Sequence, residues 1–400
     1  MERVVIVGAG LAGLRTAEEL RRAGFDGELV LVGAETCLPY DRPPLSKEFL
    51  RGDVDDTTLR PREFFDDERI DLRLGAVATG IDPERRTVTL TAASDPDTFE
   101  ELEYGELVVA TGLTPRRIPG LPESEGIHVL RSVDDARGLR TRLVPGARAL
   151  VVGAGFVGCE LAASMRSADV DVVLVEPRST SLEAALGPTV GALVARLHAE
   201  AGVDLRTGVG LAGVASVSGA YRATLGDGSE IVADLIVVGI GSTPVTDWLH
   251  GSGVALDTDG GVRCDESGRT GVEHVWAVGD VASWTGEAGV AERVEHWSNC
   301  GEQARSLAGA LTGSGGEDTA QVRYFWSDQY GVKIQALGSV AETDRVHVVV
   351  DDGRKFVAYY ERDGRLTGVV GAGKAGAVMK MRGKIAESVP IGDVLEVAST

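Results

Sequence analysis

The chain contains the same glycine pattern twice, and this repetition limits the possible folds more than any other feature. The pattern Gly-x-Gly-x-x-Gly occupies residues 8–13 and again residues 153–158. Each copy follows a short run of aliphatic residues and precedes a stretch with helical spacing. A buried strand, a glycine turn and a helix in this order are typical of a Rossmann unit, in which the helix N-terminus faces a pyrophosphate.

The glycines of such a turn have separate roles. Gly8 would permit the tight turn, Gly10 would let a phosphate approach the backbone, and Gly13 would let the helix pack close to the strand. The strand that follows should end at an acid that binds a ribose, and Glu35 and Glu176 lie near that position in the two copies. One such pattern in a chain with 53 glycines is a weak signal, whereas two in the same context predict two dinucleotide sites.

The composition excludes several classes of function. The chain has 400 residues and a formal net charge of −21, which opposes binding to nucleic acid or to an anionic membrane. No apolar run is long enough to span a bilayer, and the N-terminus enters a predicted strand at once, so we predict a cytoplasmic protein without a signal peptide. The four cysteines are scattered and have no ligand-like spacing to histidines, which predicts neither a metal site nor a disulfide.

Two further motifs support a resemblance. An apolar strand ends in Ala110-Thr111-Gly112, and a later one ends in Gly279-Asp280. With the two glycine turns, these motifs resemble the two-dinucleotide-binding flavoproteins. The resemblance implies an α/β fold with two Rossmann-like domains, the second inserted in the first, and a C-terminal α+β domain. The implied boundaries are 1–112 and 243–317 for an FAD domain, 113–242 for an NAD domain, and 318–400 for the C-terminal domain.

A proline-rich segment narrows the resemblance. Residues 39–47 read Pro-Tyr-Asp-Arg-Pro-Pro-Leu-Ser-Lys; taken alone, this segment is equally consistent with a rigid connector followed by a helix start at Ser46. Together with residues 130–132, 295–304 and 325–330 it resembles the ferredoxin, rubredoxin and putidaredoxin reductase group. The resemblance covers residues 3 to about 340.

This resemblance implies roles for individual residues. The residues that would bind FAD are Gly8, Gly10, Ala12, Gly13, Glu35, Arg42, Lys47, Ala78, Ala110, Thr111, Gly112, Arg131, Gly279, Asp280 and Trp297. The residues that would bind NADH are Gly153, Gly155, Phe156, Val157, Gly158, Glu160, Glu176 and Gly241. Trp297 would contact the flavin ring, although a half-buried core tryptophan is an alternative interpretation.

Hydride transfer from a nicotinamide to a flavin depends on stacking and exclusion of water more than on acid–base groups. We predict that Lys47 and Glu160 form an ion pair beside the reactive flavin nitrogen. For Glu160, an acid in the first turn of a helix is the alternative. At the second turn, Glu176 would accept the ribose hydroxyls of NADH and repel the phosphate of NADPH, with Arg178 close enough to soften the repulsion.

The electron acceptor is inferred from the cysteines. No cysteine pair is available, so we predict one-electron transfers to a small iron–sulfur protein, a ferredoxin that serves an oxygenase or cytochrome P450. Its docking surface would include a basic cluster, although a solvated basic face is equally possible. The cluster consists of Lys374, Lys380, Arg382 and Lys384.

Two other functions remain open at this stage. An NADH oxidase, peroxidase or CoA-disulfide reductase would use Cys37, which lies near the position of a reactive thiol in those enzymes. A binding or redox-sensing flavoprotein that resembles apoptosis-inducing factor is the third possibility. We predict that the protein is a monomer or a homodimer.

Overall fold

The computed structural model describes residues 2–122, 124–286, 289–315 and 322–398. The chain divides into two compact units. The first consists of Met1–Asp41, Thr57–Thr114 and Ser242–Thr319. The second consists of Arg42–Asp56, Pro115–Gly241 and Ala320–Thr400.

The first unit is built on a parallel sheet whose strands are buried on both faces. The strand order is Val275–Ala277, Glu106–Val109, Arg3–Val7, Glu28–Gly33 and Ile70–Leu74. Successive side chains of a strand point to opposite faces. Val4 and Ile6 accordingly lie in one core cluster with Leu14 and Leu307, whereas Val5 and Val7 lie in another. A strand buried on both sides must be apolar throughout, which explains the aliphatic run before the first glycine turn.

Helices cover one face of this sheet and an antiparallel sheet covers the other. The helices are Leu11–Arg22, Arg62–Asp67 and Trp297–Thr312. The antiparallel sheet consists of Ala76–Asp82, Thr87–Ala92 and Asp95–Glu103. Val88, Leu90 and Leu102 of that sheet share a core cluster with Val5 and Val7. The remaining elements are the strands Val262–Cys264, Ala282–Thr285 and Ala291–Arg293, the paired strands Leu113–Pro115 and Ser242–Pro244, and the 3-10 helices Asp247–Leu249 and Gly279–Val281.

The second unit repeats the parallel arrangement. Its sheet has the order Asp204–Thr207, Asp171–Glu176, Arg148–Val152, Leu235–Val238 and Ile127–His128. The helices of this part are Val133–Arg140, Phe156–Ser167 and Glu183–Glu200, and a three-stranded antiparallel sheet consists of Leu211–Val217, Ala220–Leu225 and Glu230–Ala233. Helix Glu183–Glu200 is kinked where Gly187, with φ of 73°, precedes Pro188.

The C-terminal part of the second unit is a five-stranded antiparallel sheet with one face on the core of the repeated Rossmann fold. The strand order is Tyr324–Gln329, Val332–Gly338, Arg365–Ala372, Lys355–Arg362 and Arg345–Asp352. Phe356 and Tyr360 share a core cluster with Val190 and Val194, whereas Val357 and Val369 lie in the cluster of the other face. Short helices cover that other face: Ala375–Met379, Arg382–Ala386 and Gly392–Ala398.

Two Rossmann-like folds, the second inserted in the first, and a C-terminal α+β part confirm the predicted fold class. The predicted boundary at residues 317 and 318 lies outside the described residues. Residues 42–56 group with the second unit. This segment contains the 3-10 helix Pro43–Ser46 and the α-helix Glu48–Arg51. Leu50 of this segment is buried in a core cluster with Leu139 and Leu161, and the Ser164 hydroxyl donates to the Ser46 carbonyl at 2.6 Å. In the described part of the chain, no helix combines the length and apolar character needed to cross a bilayer.

Candidate functional site

The first glycine turn has the geometry of a phosphate cradle. Gly8 has φ of +119°, and a Cβ there would lie 2.1 Å from the Ala110 carbonyl oxygen. A Cβ on Gly13 would lie 1.9 Å from the Gly8 carbonyl oxygen, so helix and strand approach too closely for a side chain. Gly10 differs, because a Cβ there would meet none of the described atoms within 4 Å. Gly10 is also the N-cap of helix Leu11–Arg22, which no side chain of the described residues caps.

The second turn repeats these distances closely. Gly153 has φ of +99°, and its Cβ would lie 2.3 Å from the Gly239 carbonyl oxygen. A Cβ on Gly158 would lie 1.9 Å from the Gly153 carbonyl oxygen, while at Gly155 it would meet no described atom within 4 Å. Gly155 is the N-cap of helix Phe156–Ser167. Both turns therefore leave backbone amides open at a helix N-terminus, and both fit a dinucleotide pyrophosphate.

The predicted ribose acids are held in place at the ends of their strands. In the first unit, the Tyr40 hydroxyl donates to Glu35 Oε2 at 2.6 Å. In the second unit, Glu176 Oε2 accepts from the Ala154 amide at 2.7 Å, and Oε1 accepts from the Arg178 amide at 3.0 Å. Both carboxylates thus have a fixed orientation, as recognition of a ribose requires, and that of Glu176 contacts the second glycine turn directly.

The two later motifs lie near the first turn. Gly279 has φ of +79°, and a Cβ there would lie 2.5 Å from that of Ala12. The Gly279 amide is fixed by a 2.8 Å bond to the buried Gln303 side chain, a residue to which the sequence analysis assigned no role. Asp280 follows directly and is half-buried. The Gly-Asp turn therefore packs against the helix that begins at the first glycine turn.

The Ala-Thr-Gly motif continues from a strand of the same sheet. The Ala110 amide donates to the Val7 carbonyl at 2.8 Å, and the Thr111 hydroxyl donates to the Val245 carbonyl at 2.7 Å. Gly112 has φ of +66°, which favours glycine. Ala78 lies at a β-bulge in strand Ala76–Asp82.

Trp297 begins helix Trp297–Thr312 and is 38% exposed. Its indole Nε1 donates to Asp41 Oδ1 at 2.8 Å. This exposure shows that the ring is not enclosed in a core, and the half-buried position stays an alternative interpretation. Contact with a flavin ring stays a prediction.

The second unit contains a buried ion pair. Lys47 Nζ donates to Glu160 Oε2 at 2.7 Å, and both side chains are 6% exposed. Two hydroxyls complete the coordination of this carboxylate: Ser46 donates to Oε2 at 2.5 Å and Ser327 donates to Oε1 at 2.8 Å. Gln329 Nε2 donates in turn to the Ser327 hydroxyl at 3.1 Å.

The structure thus brings Lys47 and Glu160 together. The first turn of helix Phe156–Ser167 contains no acidic residue, and Glu160 is the fifth residue of this helix, so the alternative interpretation as a first-turn acid is wrong. Ser46, Ser327 and Gln329 were not predicted as members of the site. These three residues belong to the motifs at 39–47 and 325–330, which the sequence had singled out. Sequence spacing alone, however, does not show that their side chains meet at Glu160.

Arg42 precedes the 3-10 helix that leads to Lys47, and Phe156 begins the helix that contains Glu160. The Arg42 guanidinium donates to the Arg131 carbonyl at 2.7 Å. Phe156 packs edge-on against Phe325 with 5.2 Å between ring centroids, and Val157 is 41% exposed. The Gly241 carbonyl accepts from the Arg116 amide at 2.9 Å.

All four cysteines are free thiols. Cys159, Cys264 and Cys300 are buried, and burial raises the pKa of the Cys159 and Cys264 thiols, which keeps them protonated. Cys37 is half-buried.

The predicted basic cluster lies on the short C-terminal helices and next to them. Lys374 of this cluster is paired with Asp352 at 2.9 Å, and Arg382 donates to the Val322 carbonyl at 3.3 Å.

Comparisons with known proteins agree with this geometry. The family model described as "Pyridine nucleotide-disulphide oxidoreductase" matches residues 2–304, and the model described as "Reductase C-terminal" matches residues 324–395. Rhodocoxin reductase of Rhodococcus erythropolis is 37% identical over 97% of this chain and 90% of its own length. The ferredoxin–NAD(+) reductase component of an anthranilate 1,2-dioxygenase system from Burkholderia cepacia is 38% identical over 84% of this chain and 81% of its own length.

A solved structure extends the likeness to three dimensions. Putidaredoxin reductase, in a covalent complex with putidaredoxin, matches with a TM-score of 0.92 and 31% identity. The match covers 98% of this chain and 95% of that chain.

Proposed function

Because the chain belongs to the pyridine nucleotide-disulphide oxidoreductase family, we propose that it is an NADH-dependent ferredoxin reductase. The observation that carries this proposal is the pair of glycine turns, which provides two separate dinucleotide cradles in one chain. The first cradle would hold FAD, which would supply the chemistry for taking a hydride from NADH and passing electrons one at a time to a ferredoxin. The relative named as the ferredoxin–NAD(+) reductase component of a dioxygenase system supports this activity.

The first unit would hold FAD. Gly10 leaves room for the pyrophosphate at the helix N-terminus, and Glu35, held by Tyr40, would bind the adenosine ribose. Asp280 would lie toward the ribityl chain, beside the Gly279 turn. We assign FAD to this unit because its glycine turn is joined to the Ala-Thr-Gly and Gly-Asp motifs.

The second unit would hold NADH. Glu176 has both carboxylate oxygens fixed by backbone amides, so a bound ribose would meet this carboxylate at a defined position. Such a carboxylate favours the two hydroxyls of NADH and repels the 2′-phosphate of NADPH. An enzyme with equal catalytic efficiency for both nucleotides would contradict this assignment.

The ion pair of Lys47 and Glu160 would hold the nicotinamide amide. An ion pair this deeply buried needs hydrogen bonds to every charged oxygen, and the two serine hydroxyls supply them. The network therefore keeps the carboxylate in one orientation, which positioning of a hydride donor requires.

The free thiols bear on the electron acceptor. Cys159, Cys264 and Cys300 are buried, and burial raises the pKa of the Cys159 and Cys264 thiols, so these thiols are poorly placed to take electrons from a flavin. A ferredoxin with an iron–sulfur cluster takes single electrons, and putidaredoxin bound to the matching structure supports a partner of this kind. Reduction by way of Cys37 is the competing function.

One experiment separates the two. NADH-driven reduction of cytochrome c is measured with and without an added iron–sulfur ferredoxin, on the parent protein and on Cys37→Ser. Strong stimulation by ferredoxin that survives the substitution supports the proposal. Loss of all NADH turnover in Cys37→Ser would support the thiol-dependent function instead.

We place the ferredoxin near the basic cluster. Ferredoxins are commonly acidic, and a local positive patch on a chain with net charge −21 would orient such a partner. Because Lys374 is neutralised by Asp352, Lys380 and Lys384 would contribute more. In the double variant Lys380→Glu/Lys384→Glu, ferredoxin should be reduced more slowly and the rate should depend less on salt concentration. The control Arg117→Glu reverses an exposed charge elsewhere and should leave both quantities at the parent value. Unchanged turnover in the double variant would rule the patch out.

A further inference from the structure

Arg178 lies two residues after the predicted ribose acid, but its side chain is occupied. Its guanidinium Nη1 forms an ion pair with Glu342 Oε2 at 2.6 Å. An arginine next to the ribose acid is the group that would accept the 2′-phosphate of NADPH. Its pairing with a carboxylate therefore bears on nucleotide choice.

The backbone beneath Arg178 is fixed on both sides. The Arg178 amide donates to Glu176 Oε1, and the Arg178 carbonyl accepts from the Gly208 amide at 2.8 Å. The side chain thus starts from a defined point next to Glu176. A second carboxylate, Glu183, is close enough for the Arg178 charge to help lower its pKa, after the larger effect of the hydrogen bond from the Ser179 hydroxyl.

Glu342 is also held in position. It lies in a turn where the buried Asp344 accepts from the Ala341 amide at 3.1 Å and from Arg362 Nε at 2.7 Å. A Cβ on Gly187, at the kink of helix Glu183–Glu200, would lie 3.4 Å from the Glu342 Cα, so the turn rests on this kink. The C-terminal sheet thus presents a carboxylate to the second nucleotide fold.

We propose that Glu342 is a specificity-determining residue for NADH, which acts as a positioning residue by holding Arg178 in an ion pair. This inference rests on the proposed use of NADH. With Glu342 present, the guanidinium is neutralised and Glu176 opposes a 2′-phosphate. Without Glu342, Arg178 becomes available to a phosphate, and discrimination against NADPH weakens. A residue of the C-terminal part would thereby influence which nucleotide the inserted Rossmann fold accepts.

The test compares Glu342→Ala with the double variant Arg178→Ala/Glu342→Ala. Both partners are about half exposed, so Glu342→Ala should raise the ratio of kcat/KM for NADPH to that for NADH by about two- to fivefold. The gain should lie in the KM for NADPH and should shrink at high ionic strength. The double variant should lose the gain. Asp351→Ala breaks a comparably exposed pair with Arg196, and should leave the ratio at the parent value.

A binding measurement separates this inference from the proposed function. Titration calorimetry measures the affinity of the parent protein and of Glu342→Ala for 2′,5′-ADP and for ADP. The variant should bind 2′,5′-ADP more tightly than the parent does, whereas its affinity for ADP should equal that of the parent. An unchanged affinity ratio, or the same gain in the double variant, would overturn the role of Glu342. Because this titration needs no turnover, a protein that fails to reduce ferredoxin would contradict the proposed function without affecting this result.

Discussion

The hydroxyl of Ser327 donates a 2.8 Å hydrogen bond to Glu160 Oε1, across 167 residues of sequence. The donor lies on the first strand of the C-terminal sheet, and the acceptor lies on the helix that follows the second glycine turn. This bond satisfies the carboxylate oxygen that Lys47 does not contact. The C-terminal sheet therefore contributes directly to the buried ion pair.

Ser327→Ala should remove that bond and leave Glu160 Oε1 without its donor. We expect a loss of about 1–3 kcal/mol in the free energy of unfolding, the usual cost of an unsatisfied buried acceptor, together with slower reduction of the flavin by NADH. Urea unfolding and stopped-flow absorbance measure the two effects. Ser181→Ala is the control, since it deletes another buried hydroxyl, bonded to the Gly191 carbonyl, and should not slow reduction. Equal reduction rates in both variants would remove Ser327 from the site.

Lys47→Met should leave the Glu160 charge buried without its cation. Removal of one partner of a buried pair costs about 3–5 kcal/mol, so unfolding should shift to markedly lower urea concentration. In Lys47→Met/Glu160→Gln the charge is gone as well, and part of the stability should return. Flavin reduction by NADH should stay slow in both variants if the pair holds the nicotinamide. A Lys47→Met enzyme that is reduced at the parent rate would refute that role.

Gly10→Ala and Gly155→Ala form a matched pair. Both glycines have extended backbone angles that alanine adopts, and the added methyl group would meet no described protein atom within 4 Å. Each substitution should therefore preserve the fold but intrude on a bound pyrophosphate. We expect weaker FAD retention for Gly10→Ala and a raised KM for NADH for Gly155→Ala. Flavin release during dialysis and steady-state kinetics measure these effects, and exchanged outcomes would reverse the assignment of the two cradles.

His198 should make the second unit sensitive to acid. It is fully buried, its Nδ1 lies 2.6 Å from the Tyr330 hydroxyl, and burial lowers its pKa from 6.5 to about 4. Above pH 6.5 the ring is neutral whether the chain is folded or unfolded. Between these two values the unfolded chain binds a proton that the folded chain does not, so stability falls by up to about 1.4 kcal/mol per pH unit as pH decreases.

The check is urea unfolding of the parent and of His198→Gln between pH 7.5 and pH 4.5. Glutamine retains a polar group for Tyr330 but does not titrate, so the variant should lose less stability over this range. The difference between the two proteins isolates the histidine from the carboxylates, which titrate in both. Parallel curves for the two proteins would show that His198 does not cause the acid sensitivity.

The local geometry of both cradles follows from the sequence. Gly13 must lack a side chain because its Cβ would collide with the Gly8 carbonyl, and Gly158 has the same relation to Gly153. Such contacts join residues that are only five positions apart, so they can be predicted from the spacing of the glycines. The alternation of the first strand's side chains between two core clusters is local in the same way, because adjacent side chains point to opposite faces.

The surroundings of Glu160 depended on the tertiary structure. Lys47 and Glu160 were paired in the sequence analysis only through a family resemblance, and the two serine hydroxyls that complete the carboxylate were not predicted at all. Their positions follow from packing, since Leu50 anchors residues 42–56 in the core of the second unit and the C-terminal sheet packs on that same core. The neutralisation of Lys374 by Asp352 and of Arg178 by Glu342 has the same origin. Sequence spacing determines contacts within a turn, whereas partners far apart in the chain meet only when buried surfaces bring their strands and helices together.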